Sequence, residues 1–170
     1  MAQGSRTVTF SSALPDPGAG GAVGPGDELT IEGETLFISS RNSAFEVTIE
    51  TAATVDHSTP TAVFTITRAY NTVAAWEADI AGGGRGGDLV GENRREIGFA
   101  YKDGVFTNGF SISGSTTDSS RYMHLTVPPG QRHTGIAGTG VVLDGGGTMT
   151  ETAALLDDYT RFEWFEVRFY

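Results

Sequence analysis

The strongest constraint on this chain lies in residues 121–170, RYMHLTVPPGQRHTGIAGTGVVLDGGGTMTETAALLDDYTRFEWFEVRFY, where short apolar runs alternate with Gly- and Asp-rich corners. The runs at 123–127, 141–143, 153–156 and 162–169 read as β-strands. Met123, Leu125 and Val127 share one face of the first, because side chains alternate along a strand. In the last run Phe162 and Trp164 share a face, but the apolar set then shifts by one to Phe165, Val167 and Phe169. A one-residue slip reverses the buried face, so Trp164-Phe165 is expected to be a bulge or corner. The sequence places no helix or polar segment after Tyr170 to cover these aromatics, so this end is expected to pack against another surface.

Composition narrows the class. At 170 residues the chain is one domain, or one domain with an arm, and is long enough to bury a core. The net charge of −10, a pI near 4.6 and the lack of any Lys or Arg run argue against a nucleic-acid groove or an anionic membrane surface. Lys102 is the one lysine, and with no cysteine neither disulfides nor thiolate metal sites can form. The start MAQGSRTVTF lacks a signal pattern and no apolar run reaches transmembrane length, so a cytosolic, soluble product is expected. The 24 glycines are spread through turn-like stretches rich in Thr and Ser, which reads as an all-β, turn-dense chain.

Before the constraining stretch, residues 7–10, 29–31, 36–38, 45–49 and 63–67 read as strands. Phe45, Val47 and Ile49 alternate with Glu46, Thr48 and Glu50 as in a sheet with one wet face. DELTIEGET has the form of two strands around Gly33. The Pro/Gly stretch at 15–26 reads as a flexible surface loop. Residues 1–60 thus form a small β-layer or anchoring arm, joined to residues 61–170 near Ser58-Thr59-Pro60. YNTVAAWEADI (70–80) is the one convincing helix: Asn71 or Thr72 caps it, Val73, Trp76 and Ile80 anchor one face, Glu77 and Asp79 lie away from it, and Gly82-Gly83-Gly84 ends it. So short a helix is unstable alone. It either packs on a sheet or plugs the open end of a β-solenoid. The following Gly-rich loop lacks the Gly-Lys-Ser/Thr ending of a phosphate cradle. Ile97, Phe99 and Tyr101 read as the next inward face, with Phe110 and Ile112 on the strand after it.

YNTVAAWEADI, IGFAYKDGVFTNGFSISGSTTDSSRYMHLTV, RHTGIAGTGVVLDGGG and DDYTRFEWFEVR, taken in order, resemble an N-terminal block of right-handed parallel β-helix proteins, the pectate-lyase-like repeat proteins of bacteriophages and environmental bacteria. The resemblance covers residues 61–170. It implies an all-β fold with a short right-handed parallel β-helix of about two coils behind an N-terminal capping α-helix. Residues 1–60 have no counterpart in that block, and family members usually continue for many more coils. Roughly three or more repeats are normally needed for stability. Two coils ending on Phe162, Trp164, Phe165, Phe169 and Tyr170 therefore leave an open edge and an apolar face, for which self-association is the physical remedy.

The acids Asp144, Asp157, Asp158, Glu163 and Glu166 invite comparison with a polysaccharide-cleaving site or a cation site. Glu166 and Arg168 read instead as the wet face of a strand, Asp144 before Gly145-Gly146-Gly147 as a turn residue, and Asp157-Asp158 as a corner. His57, His124 and His133 match no zinc spacing, and His124 points opposite Met123 and Leu125. GFSISG (109–114) only approximates a nucleophile elbow. The aromatics from Tyr159 to Tyr170 could stack on sugars, but a solenoid core with an oligomer interface accounts for them more simply.

The expectation is a non-enzymatic structural component of a bacteriophage virion: a decoration, fibre-base or spike protein, made in the host cytoplasm and carried on the particle. It uses no cofactor and no metal. Its partners are further copies of itself, with a trimer as one form, and other virion proteins, with neither nucleic acid nor membrane. The N-terminal arm suits gripping a neighbour by strand addition. The alternative is a polysaccharide lyase or hydrolase, or a carbohydrate-binding adhesin, of the β-helix class, which requires polar groups converging in a cleft.

Overall fold

In the computed structural model, which describes residues 1–58, 63–81, 87–147 and 152–168, the chain divides into two units, Met1–Ala69 and Tyr70–Tyr170. It is mostly β, with a single α-helix among the described residues.

The first unit is an antiparallel sheet of β1 (Thr7–Thr9), β2 (Asp27–Ile31), β3 (Glu34–Arg41), β4 (Glu46–Ile49) and β5 (Phe64–Arg68), in the order β1-β4-β3-β2-β5. Alternation does the work: Val8, Leu29, Ile31, Leu36, Ile38, Val47 and Ile49 all fall on one side and join one core with Phe10 and Val23. Each such burial contributes about 1.5–3 kcal/mol. Around Gly33 the chain turns as DELTIEGET implied. Glu32 (φ 47°) and Gly33 (φ 90°) are both left-handed, the turn geometry that matches strand twist.

Three expectations change here. The boundary near Pro60 moves to Ala69, because Phe64–Arg68 pairs along its whole length with β2. Phe45 lies outside β4 and is exposed, so the inward alternation begins at Val47. The Pro/Gly stretch is also tied down: Ala22 and Val23 are buried, and the Arg41 guanidinium donates to the carbonyls of Pro15, Leu14 (3.1 Å) and Val23 (3.2 Å). Beside it, buried Asp27 accepts from Gly24 N (2.9 Å) and from Arg68 Nη1 (2.6 and 2.8 Å). That satisfies a charge which would otherwise be costly to bury.

The second unit contains α1 (Val73–Ala81), β6 (Glu96–Phe99), β7 (Phe110–Ile112), β8 (Met123–Thr126), a 3-10 turn (Pro129–Gln131), β9 (Val141–Asp144), β10 (Ala153–Leu155), β11 (Arg161–Phe162) and β12 (Phe165–Arg168). Every ladder among these strands is parallel: β6-β8-β11, β7-β10 and β9-β12. Single parallel bridges, Asp88 with Thr116 and Phe106 with Leu143, repeat the pattern at the corners.

The helix starts at its cap, where Thr72 Oγ1 accepts from Ala75 N at 3.0 Å; its expected glycine terminus, 82–84, lies outside the described residues. Val73, Trp76 and Ile80 are buried in one core with Leu89, Phe110, Ile112, Met123, Leu125 and Leu143. Glu77, expected to point away, is buried and accepts from Ser113 N at 2.8 Å. Ile97 is also corrected. It is 40% exposed and pairs with His124, whereas Gly98 pairs with inward Leu125. A Cβ on Gly98 would come within 2.9 Å of Trp76 Cε2 and 3.0 Å of Leu125 Cδ1, so the missing side chain is what admits the indole.

Candidate assembly face

Directly paired residues of a parallel ladder point to the same side. The register pairs Phe110 with Ala153, Ile112 with Leu155, Leu125 with Phe162, Val141 with Phe165 and Leu143 with Val167. The earlier member of each pair is buried. The later member is not: Ala153, Phe162 and Phe165 are half-buried, Leu155 is 41% exposed and Val167 39%. The three late strands thus carry core-type side chains on the core side, with Phe110, Ile112, Leu125, Val141 and Leu143 beneath them. Among the described residues β10, β11 and β12 each pair along one edge alone.

Phe162, Trp164 and Phe165 meet at one corner of this face but serve differently. The rings of Phe162 and Phe165 stack at 4.5 Å and 10°, and Phe110 lies 6.2 Å from Phe162. Between β11 and β12, Trp164 has φ 73°, so the slip in the apolar pattern is a corner, as expected. Its ring, 46% exposed, lies under the Arg132 guanidinium at 4.5 Å, and its carbonyl accepts from His133 N at 3.3 Å. Phe169 and Tyr170 lie outside the described residues. Ala153 and Leu155 belong to the face but were not singled out by sequence, because only the parallel register ties them to Phe110 and Ile112; Val167, which alternation had placed beside Phe165, pairs with Leu143.

The carboxylates of Asp144, Asp157, Glu163 and Glu166 near this face are each engaged locally. Asp157 accepts from Gly114 N (2.7 Å) and Ser115 N (3.1 Å), which pins one corner to the one before it. The Asp158 carbonyl accepts from the Thr117 hydroxyl, and Asp144 accepts from Gly146 N at 2.9 Å in an Asx turn. Glu163 Oε1 bonds His124 Nε2 at 2.7 Å, and the Thr126 hydroxyl lies 3.4 Å from the same oxygen. Glu166 accepts from Arg168 Nε (2.6 Å) and from Gly138 N, and these bonds, the arginine's first, hold its carboxyl below the usual range. His133 Nε2 stands 3.6 Å from Glu166. Among the described residues no three His, Asp or Glu side chains converge as metal ligands. No family model, curated protein or solved structure matches the chain.

Proposed function

We propose that the second unit is the opening of a right-handed parallel β-helix, and that the chain is a non-enzymatic structural component of a bacteriophage particle that assembles with further copies of itself. One observation carries the assembly reading: Leu155, Phe162, Phe165 and Val167 continue a buried stack yet stand half open. The other end differs, since Trp76 of α1 lies on Gly98. One covered and one uncovered end is the condition in which a solenoid seeks a neighbour. Soluble proteins rarely leave contiguous apolar faces open, and closed symmetric association of identical chains is the commonest remedy. The phage setting and the virion location rest on the motif resemblance given above.

Light scattering after gel filtration tests the reading. A defined multimer is expected; a stable, well-folded monomer overturns it. A carbohydrate-binding or carbohydrate-cleaving protein is the competing reading, favoured by the exposed Trp164 ring beside Arg132, since flat aromatic surfaces suit sugar faces. Quenching or enhancement of the Trp164 emission by oligosaccharides would turn the argument that way.

A further inference from the structure

His57 is 3% exposed. It belongs to residues 51–58, which form no strand of their own. Its ring lies between two carboxylates of the β2–β3 hairpin, with Nδ1 3.0 Å from Glu32 Oε2 and Nε2 2.7 Å from Glu34 Oε2. A neutral imidazole has one N–H, so it would bond one carboxylate and turn a lone pair on the other. Both contacts are hydrogen bonds only when both nitrogens are protonated. The same segment holds the start of the chain through Gly4 N to Ala53 O (2.8 Å), Ala53 N to Ser5 O (2.9 Å), Gln3 Nε2 to Thr54 O (2.7 Å) and His57 N to Met1 O (2.7 Å). Glu34 completes the attachment, its Oε1 accepting from Thr54 N (2.6 Å) and the Thr54 hydroxyl (2.7 Å).

We propose that His57 is a proton-operated clip: doubly protonated, it holds residues 51–58, and with them residues 1–5, on the β2–β3 hairpin, and on losing a proton it releases them. The charged groups around it are Glu32 and Glu34 from the hairpin, the Met1 amine, which donates to the His57 carbonyl at 2.8 Å, and Asp56 from its own segment. The bonds to Glu32 and then Glu34 raise the ring's pKa, and burial opposes them. The clip is therefore closed below the ordinary imidazole value of about 6.5 and opens as pH rises through the higher folded value. It lies in the first unit and does not depend on the assembly face.

The test is amide exchange on the whole chain from about pH 5.5 to about pH 9.5, corrected for intrinsic chemistry, beside an NMR titration of the His57 ring. Opening at Gly4, Ala53, Thr54 and His57 is expected to grow by up to about tenfold per pH unit between the ordinary and folded ring values, while Leu29 and Ile38 stay protected. Glu32→Gln, at a carboxylate 42% exposed, is expected to shift the ring midpoint and the opening range together to lower pH. His57→Gln is expected to abolish the pH dependence; should that variant not fold, Glu32→Gln decides alone. A ring that titrates at or below the ordinary value overturns the proposal. So does a ring that loses its proton with protection unchanged, or a Glu32→Gln variant that leaves both midpoints in place.

Discussion

The Phe162 ring stacks on that of Phe165, centroids 4.5 Å apart and planes 10° from parallel, across a corner in which Trp164 has φ 73°. The left-handed residue turns the chain at the corner between β11 and β12, where two aromatics three positions apart come face to face. Phe165→Asp is expected to abolish assembly while circular dichroism keeps its β signal, because a carboxylate at the centre of an apolar contact costs about 2 kcal/mol or more. Phe165→Leu is expected to retain most of it. A multimer of unchanged mass in the aspartate variant would place the interface elsewhere.

Trp76 is the large side chain of α1 in the core of the second unit, seated where Gly98 has no Cβ. Trp76→Ala is expected to destabilise that unit by about 3–5 kcal/mol, read as a lower denaturant midpoint. Gly98→Ala should destabilise it too, by driving a methyl into the indole from the other side. Because Trp76→Ala removes the ring that the Gly98→Ala methyl would strike, the two are expected to be non-additive in a double-mutant cycle. An additive cycle would mean that the two residues do not meet.

How much of this was legible in the sequence depends on where the information lies. The first sheet was readable because Leu36 and Ile38, and Val47 and Ile49, carry their alternation on their own strands. The Trp164 corner was readable from a one-residue slip. The inward face of β6 was not, since Gly98 has no side chain to declare a direction and apolar Ile97 drew the assignment to itself. His57 was equally opaque: its partners stand 25 and 23 residues away, in the turn and at the start of β3, where the hydrophilic sequence reads as surface. The open face lay between these cases. Its aromatics were conspicuous, but Ala153 and Leu155 gain their meaning from parallel partners that no local pattern marks.

Arg41 ties the Pro/Gly stretch to β3 through three carbonyls, those of Leu14 and Pro15 and that of buried Val23. Arg41→Ala is expected to cost about 1–2 kcal/mol. Limited proteolysis should then cut within residues 15–26 well before it attacks the sheet. A loop equally resistant in the variant would mean that Ala22 and Val23 hold it unaided.

On the acid side the decisive group is Glu34, whose carboxyl is held down to about 2 by the Thr54 backbone and hydroxyl bonds and then by His57. A carboxylate with a depressed folded value stabilises the fold fully above its ordinary value of about 4.3 and loses that contribution as pH falls toward the folded one. The first unit should therefore weaken progressively below about pH 4, where His57 keeps its charge while Glu34 loses its own. Glu34→Gln removes the titrating group but keeps an amide of the same shape. It is expected to lower the melting temperature at neutral pH and to flatten the fall between about pH 4 and about pH 2. Thermal melts of both proteins across that range check this: parallel curves would show that Glu34 is not the group that carries the acid sensitivity of the first unit.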